Sequence, residues 1–374
     1  MNAAPEIAVS DVKIAAINVR SVVVPLARLV ITANATIAEA PLVLVDVTTN
    51  AGVTGRAYTF AYSRAFLPAL NELVAALSKT LIGETLAPLN IERNLRTKFT
   101  LLGGAYNLAA FAISVLDMAV WDAFARSAKM PLATLLGAVP KPIKAYSGNG
   151  VGMVAHDSLS ASIDAVMKDT LPAIKVRLGR QCAADDIGAV ERVKRWLSSS
   201  QRAETTVMVD FNQSLNVAEA VVRCAALDAF DLAWIEEPTR CDDWAGNAAI
   251  AKSTRTPIQL GENIASDYAL VAALDACATD YVMFDAQQIG GVSGWLRASS
   301  VASARGVPVS SHLLQEFSAH LLSVTPNAAW LEYFPMADPI LAQCARVENG
   351  CVATLPGDGA GIEWNEHAIS RYAA

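Results

Sequence analysis

The pattern of apolar and polar positions changes character partway along the chain. In the first part, runs rich in Val and Ile precede segments with helical periodicity, which predicts a small α+β domain over residues 1–137. The segment Gly137–Pro142 holds two prolines, which break helices, and it marks the predicted domain boundary. The predicted strands are Val12–Val24, Leu42–Thr48 and Gly55–Phe60, and the predicted helices are Ser63–Leu81 and Ala105–Ser127.

After this boundary, eight short apolar runs alternate with helical segments at the spacing of βα units. Such alternation implies a parallel sheet covered on both faces, and eight units predict a (β/α) barrel over residues 138–350. A doubly wound sheet is the alternative, but no G-x-G-x-x-G follows the first run. Residues 351–374 are irregular, and we expect them to pack back on the N-terminal domain. The runs are Ile143–Ser147, Ala173–Leu178, Val207–Phe211, Leu232–Glu236, Ile258–Gly261, Tyr281–Asp285, Val307–Ser311 and Ala328–Glu332.

Three acids, Asp210, Glu236 and Glu262, fall at the ends of successive runs and are 26 residues apart. In a barrel the carboxyl ends of all strands share one face, where active sites are built, so these acids are expected to converge. Anions crowded in this way need compensation, and oxygen ligands favour a hard cation such as Mg²⁺. Any one of them alone is more simply a charge on a barrel rim, but three in register predict a metal site.

Other ionisable residues flank these acids at the same predicted face. Lys175 and Arg177 are two residues apart on one strand and therefore point to the same side. Asp285 and His312 end neighbouring strands, and an aspartate beside a histidine fixes the imidazole tautomer and raises its basicity. A single histidine at a strand end is more often structural, but its register with the acids predicts a general base.

Across nearly the whole chain the sequence resembles the enolase superfamily and, within it, the mandelate racemase group. The resemblance implies a modified (β/α) barrel with an N-terminal α+β capping domain. It also implies removal of the proton next to a carboxylate by a Lys or His base, with Mg²⁺ and an enediolate intermediate. The segments that carry it are APLVLVDV (40–47), TFAY (59–62), IKVRLG (174–179), VMVDFNQS (207–214), WIEEPT (234–239), LGEN (260–263), FDAQQIGGVSGW (284–295), SSHLLQEFSAHLL (310–322) and AWLE (329–332).

The resemblance also implies a role for each polar residue at the barrel face. The three acids would hold the metal, and Lys175 would add a second cation beside the substrate carboxylate. His312, paired with Asp285, would act as catalytic acid and base. Glu332 would stay protonated and donate a hydrogen bond to the enediolate, and Asn212 would contact the α-hydroxyl of the substrate.

A flap formed by residues 29–37 together with Tyr62 matches the segment that closes over the substrate in such enzymes. Its apolar side chains, Leu29, Val30, Ile31 and Ile37, favour an aryl or alkyl substituent on the substrate over a polyhydroxylated one. The alternative is that these residues only flank ordinary strands.

Two departures from the group's pattern bear on the chemistry. The family's K-x-K is Lys175-Val-Arg177 here, and an arginine, whose pKa lies far above that of lysine, is a poor base. The resemblance also places a serine and a histidine where this chain has Gly148 and Asn149, which predicts a different substrate. The leading hypothesis is racemisation of an apolar or aryl 2-hydroxy acid. The alternatives are acid-sugar dehydration with His312 as the single base and a catalytically silent barrel that binds Mg²⁺ and a carboxylate.

Composition and charge restrict the possible partners. The net charge of −7 and the lack of Lys/Arg runs argue against nucleic acid as a partner and favour a small carboxylate bound through local cations. The high mean hydropathy favours a homo-oligomer. The six scattered cysteines and an N-terminus that carries Glu6 and Asp11 without a long apolar run predict a cytoplasmic protein with no membrane span.

Overall fold

The computed structural model of the protein describes residues 11–98 and 108–374. The N-terminal part contains an antiparallel sheet with the strand order β1-β2-β3. The central strand is buried over most of its length, because its apolar residues pack against helices as well as against its neighbours. The strands are β1 (Ile14–Ile31), β2 (Thr36–Thr49) and β3 (Thr54–Phe60).

Among the described residues, four helices accompany this sheet, and α3 packs between the sheet and the barrel. It packs on β3 and α1 on one side and on a helix of the barrel on the other. By length and composition α3 could cross a membrane, but 78% of its most apolar window is buried inside the protein, as expected for a core helix. The helices are α1 (Leu67–Lys79), α2 (Pro88–Lys98), α3 (Leu108–Ser127) and α4 (Leu132–Leu135).

The second part of the chain forms eight parallel strands that curl into a barrel, with β11 hydrogen-bonded to β4. Between β10 and the chain entering β11, the amide of Ser311 donates to the carbonyl of Trp330 over 3.0 Å. The strands are β4 (Ile143–Val151), β5 (Ala173–Arg177), β6 (Thr206–Asp210), β7 (Ile235–Glu236), β8 (Ile258–Leu260), β9 (Tyr281–Asp285), β10 (Val309–His312) and β11 (Leu331–Tyr333).

Helices connect these strands around the outside of the barrel, so each strand feeds a helix that returns the chain to the opposite end. This arrangement brings the carboxyl ends of the strands to one face, which we call the barrel mouth. The helices are α5 (Leu159–Val166), α6 (Ala183–Ser199), α7 (Val217–Leu227), α8 (Trp244–Ser253), α9 (Asp267–Asp275), α10 (Gly291–Ala304) and α11 (Gln315–Val324).

The C-terminal segment contains a short hairpin, β12 (Val347–Glu348) and β13 (Cys351–Val352), and the helix α12 (Glu366–Tyr372). The hairpin adds to β4, whereas the chain that follows contacts the first sheet. There, the indole of Trp364 donates to Asp46 over 2.6 Å, and Arg56 pairs with Glu363 at 3.0 Å. These contacts connect the end of the chain to the N-terminal sheet.

The fold class predicted from the sequence, a modified (β/α) barrel with an α+β cap, is confirmed. The predicted strands and helices agree with the structure to within a few residues, and the start of the helix predicted at Ala105 lies outside the described residues. Two details differ. Helix α2 was not predicted, because its sequence is mostly polar. Strand β1 continues to Ile31, so most of the predicted flap belongs to the β1–β2 hairpin.

Gly55 of β3 is the position where the N-terminal sheet and α3 approach most closely. A Cβ atom there would lie 2.2 Å from the amide nitrogen of Ala123 and 2.4 Å from the carbonyl of Ala119. We therefore expect Gly55→Ala to lower the free energy of unfolding by about 1–3 kcal/mol, because backbone must move to admit the methyl group. Urea denaturation monitored by circular dichroism measures this change.

The matched control is Gly188→Ala in α6, where the added Cβ would meet only the His156 ring at 3.4 Å. Replacing a helical glycine with alanine should leave stability unchanged or raise it by up to about 1 kcal/mol. Equal unfolding midpoints for the two variants would contradict the tight packing of β3 on α3.

Candidate active site

The three predicted metal ligands meet at the barrel mouth. Asp210 and Glu236 are the last residues of β6 and β7 and are paired in register, while Glu262 lies two residues beyond β8. One carboxylate oxygen from each lies within 4.8 Å of the others. Asp210 and Glu236 are fully buried. This set of hard oxygen donors has the composition that Mg²⁺ binds, so the residues present fit the ion.

Lys175, in the middle of β5, lies directly beneath these acids and is completely buried. Its Nζ is 2.7 Å from Glu236 Oε1, 2.9 Å from Glu332 Oε1 and 3.4 Å from Asp210 Oδ2. Burial alone would lower the pKa of this lysine, but the attraction of Glu236 and Glu332 outweighs it, and the pKa is raised. Lys175 therefore stays a cation and is no base near neutral pH.

Arg177 follows two residues later, at the end of β5, and is held from three sides. Its guanidinium contacts Asp210, donates to Asn212 Oδ1 over 3.0 Å and donates to the carbonyl of Gly148 over 3.1 Å. Burial would lower its pKa, but Asp210 outweighs burial and raises it. An arginine tied in this way cannot give up its proton to act as a base, whereas it can orient Asp210.

His312 and Asp285 end the adjacent strands β10 and β9 and are paired in register. Nδ1 of His312 lies 2.8 Å from Asp285 Oδ2, which leaves Nε2 facing the mouth, 3.5 Å from Glu262 Oε2. Burial would lower the pKa of His312, but Glu262, Glu332 and Asp285 together raise it to about 10. A cation bound to Glu262 would weaken the effect of this carboxylate on the pKa of His312. The imidazole would remain basic, in the orientation that Asp285 holds.

Glu332, in β11, lies beside Lys175, with its Oε1 2.9 Å from Lys175 Nζ. Its Oε2 accepts the amide of Leu313 over 2.9 Å. Burial would raise its pKa, but Lys175 and His312 outweigh burial and lower it to about 2. Its side chain occupies the space above Gly148, where a Cβ would come within 2.4 Å of Glu332 Cγ. The glycine that departs from the group's pattern therefore makes room for this carboxylate.

Asn212 lies just beyond β6 in a left-handed conformation with φ of 46°. Its backbone amide donates to Asp210 Oδ1 over 2.7 Å, and its side-chain amide donates to Asp210 Oδ2 over 3.1 Å. Its carbonyl accepts from the side chain of Asn34, at the tip of the flap, over 2.6 Å. The predicted substrate ligand is thus placed by a metal-site acid on one side and by the flap on the other.

The other predicted flap residues differ in exposure. Val30 is buried and Ile37 is half-buried, whereas Leu29 is 56% exposed. The role of these residues as an apolar lid over the substrate stays a prediction. Tyr62 is 38% exposed, yet its hydroxyl lies near the mouth, where burial and the charges of Asp285 and Glu262 raise its pKa.

Two buried polar residues at the mouth were missed by sequence reasoning. Glu237, next to Glu236, accepts hydrogen bonds from Gln213 over 3.0 Å and from Asn263 over 2.8 Å, and burial raises its pKa. The tandem acids at the end of an apolar run were a signal that could have found it. The side chain of Gln287 accepts a hydrogen bond from the cap, and its backbone amide donates to Asp285. No sequence pattern identified this residue.

The geometry defines a class of protein: a capped (β/α) barrel with an acidic triad, a buried cation pair and a histidine–aspartate pair at its mouth. The chain matches two family models. Residues 14–137 match the mandelate racemase / muconate lactonizing enzyme N-terminal domain, and residues 158–368 match the enolase C-terminal domain-like family. The chain therefore belongs to the mandelate racemase / muconate lactonizing enzyme family of the enolase superfamily.

Several characterised proteins are similar over most of their length. The L-talarate/galactarate dehydratase of Salmonella typhimurium is 28% identical over 88% of this chain and 82% of its own. An enolase from Bradyrhizobium, crystallised with magnesium and mandelic acid, is 39% identical with a TM-score of 0.91, covering 97% of this chain and 99% of its own. An enolase from the alphaproteobacterium bal199 with bound magnesium is 38% identical with a TM-score of 0.93, covering 97% and 100%.

The acidic triad generates a prediction about metal binding. Adding Mg²⁺ to the metal-free protein should raise its melting temperature, because only the folded chain assembles the three carboxylates. At a free concentration one hundred times the Kd, the gain is about 2.7 kcal/mol. Glu236→Gln should remove most of this gain. Differential scanning calorimetry with and without Mg²⁺ measures it.

The control is Glu191→Gln, which changes an exposed acid on α6 by the same chemistry. That variant should keep the full Mg²⁺-dependent rise. The assignment would be contradicted by an equal rise in the Glu236→Gln and Glu191→Gln proteins.

Proposed function

We propose that this protein catalyses Mg²⁺-dependent removal of the α-proton of a 2-hydroxy carboxylate, through an enediolate, with His312 as the base. The carrying observation is that the His312–Asp285 pair faces the acidic triad, with Nε2 of His312 turned to the mouth 3.5 Å from Glu262. The similarity to the mandelic acid complex supports a 2-hydroxy acid as the ligand class. On this proposal, the α-proton is removed from the face of the substrate that His312 approaches.

The site must stabilise two negative charges, since the α-proton of a carboxylate is very weakly acidic and its removal leaves a dianion. Asp210, Glu236 and Glu262 would hold Mg²⁺, which when bound neutralises the triad and supplies a Lewis acid for the substrate carboxylate. Lys175 adds a fixed positive charge below the same position, within 2.9 Å of both Glu236 and Glu332. Because this lysine is buried, its charge acts without competition from water.

His312 can act first as the base and then as the acid in a dehydration. Its Nε2 takes the α-proton as the C–H bond breaks, and Asp285 stabilises the imidazolium that forms. The same Nε2–H can then protonate a hydroxyl on the β-carbon, so that the C–O bond breaks and water leaves. The resulting enol becomes a 2-keto acid. No second base is required, which suits a site in which Arg177 is held by Asp210, Asn212 and Gly148. Dehydration is therefore the outcome that we favour.

Racemisation is the second candidate, and the similarity to the Bradyrhizobium protein with mandelic acid favours it. Mandelic acid has no β-hydroxyl to lose, so an enzyme that acts on it must return the proton to the α-carbon. Racemisation would require a proton donor on the face opposite His312. Arg177, at the second lysine position of the K-x-K pattern, is the candidate for this donor, but its raised pKa opposes the role.

Three further proposals concern the protein as a whole. We keep a small carboxylate, with no nucleic acid, as the partner, in line with the net charge of −7. A homo-oligomer and a cytoplasmic location also stand as proposals, based on hydropathy and on the cysteine pattern.

Proton exchange should distinguish the two outcomes. With a panel of 2-hydroxy acids in D₂O and Mg²⁺, we expect fast α-deuterium exchange only in the enantiomer whose α-hydrogen faces His312. Substrates with a β-hydroxyl should lose water to give 2-keto acids. Proton NMR follows both events. Equal exchange of both enantiomers would show that Arg177 acts as a base, and full turnover in excess EDTA would refute the metal requirement.

Arg177→Lys tests the missing second base. A lysine near Lys175 has a lower starting pKa than arginine, so it can exchange its proton on the opposite face. We expect exchange of the slow enantiomer to rise at least tenfold in this variant, measured by NMR. Arg192→Lys, at an exposed position on α6, is the control and should change nothing. A fall in exchange of both enantiomers would mean that Arg177 itself is required.

A further inference from the structure

We propose that Gln287 is a positioning residue for this reaction: its buried amide ties the cap strand that leads to Tyr62 to the segment that carries Asp285. The cap and the His312–Asp285 pair are thereby set as one unit. The proposal rests on the proposed function for its kinetic consequences, but its structural part is independent of the substrate.

The first half of this tie is the bond from Gln287 to the cap. Gln287 is fully buried, and its Oε1 accepts from Thr59 Oγ1 over 3.0 Å and from the backbone amide of Phe60 over 2.9 Å. An amide oxygen has two lone pairs, so both are occupied by the cap. Phe60 is the last residue of β3, and Tyr62 follows it at the mouth. The end of the cap strand is therefore held by a single barrel side chain.

The second half is the bond from Gln287 to the catalytic pair. Its backbone amide donates to Asp285 Oδ1 over 2.8 Å, while the other oxygen of Asp285 lies 2.8 Å from His312 Nδ1. A tilt of the Asp285 carboxylate would turn the imidazole, because a carboxylate orients a histidine through this bond. Three successive hydrogen bonds thus connect the cap strand to His312: from Phe60 to Gln287, from Gln287 to Asp285, and between Asp285 and His312.

The remaining group of Gln287 also points to a role beyond packing. Its Nε2 is buried and has no hydrogen-bond partner among the described residues. A buried unpaired donor carries a desolvation cost that an apolar side chain of the same size would avoid, so packing alone does not explain an amide at this position.

A second contact between cap and barrel provides a matched comparison. Asp117 of α3 accepts the backbone amide of Ser293 over 3.0 Å and the Ser293 hydroxyl over 2.6 Å, and Trp121 donates to that hydroxyl over 2.9 Å. This cluster holds the start of α10 but makes no contact with Asp285. It resembles the Gln287 contact in burial and polarity, and it differs in not reaching the catalytic pair.

The test compares Gln287→Met with Ser293→Ala in the Mg²⁺-loaded enzyme. Three quantities are measured: hydrogen exchange at the Phe60 amide, ¹⁵N NMR signals of the His312 ring, and kcat and KM for an acid that the parent converts. For Gln287→Met we expect faster exchange at Phe60, shifted His312 ring signals and a kcat at least tenfold lower with KM changed less than threefold. Ser293→Ala should lower the melting temperature, keep the His312 signals and keep kcat within twofold.

A double-mutant cycle that combines Thr59→Val with Gln287→Met tests the assignment. If the bond to Gln287 carries the effect, adding Thr59→Val to Gln287→Met should lower kcat no further. Should Gln287→Met fail to fold, Thr59→Val alone removes one of the two donors and is expected to shift the His312 signals in the same direction.

Unchanged His312 ring signals in Gln287→Met, or in Thr59→Val where that variant is used, would overturn the proposal. A kcat within twofold of the parent despite faster exchange at Phe60 would overturn it as well. Failure of the parent to convert any 2-hydroxy acid is a different result: it would refute the proposed function, while the Phe60 and His312 measurements would still decide the role of Gln287.

Discussion

The crowding of carboxylates at the barrel mouth is the constraint on which the site depends. Asp210, Glu236 and Glu262 bring oxygens within 4.8 Å of one another, and Asp210 and Glu236 are removed from solvent. Like charges this close need opposite charge nearby, and β5 supplies Lys175 and Arg177 directly beneath them. These cations offset the charge of the triad, and in the proposed mechanism Lys175 also faces the substrate carboxylate.

The two cations differ in the contacts that they make with these carboxylates. Lys175 lies among Glu236, Asp210 and Glu332 and serves as a fixed charge, whereas Arg177 orients Asp210 and Asn212 through directed hydrogen bonds. A planar guanidinium suits the second task and an ammonium the first. The arginine that departs from the family pattern is thus accommodated by its surroundings, and in the proposed mechanism His312 is the base.

Two contacts of different kinds join the cap to residues at the barrel mouth. Asn34 of the flap reaches the carbonyl of Asn212, and Gln287 joins the end of β3 to the Asp285 segment. Helix α3 is buried and packs on both the cap sheet and a barrel helix. The Gln287 contacts are buried, whereas the contact of Asn34 with Asn212 is exposed.

The sequence by itself determined the barrel, the cap and the residues at the mouth, because a period of one βα unit puts every strand end on the same face. Asp210, Glu236, Glu262 and His312 could be identified from that register alone. Only the tertiary structure decided that Leu29 is largely exposed, that Glu332 lies beside Lys175 and that Gln287 joins cap to barrel. These properties depend on partners far away in the chain: Glu332 on Lys175, and Gln287 on Thr59 and Phe60. Periodicity places a residue on a face, but it carries no information about which distant side chain that residue meets there.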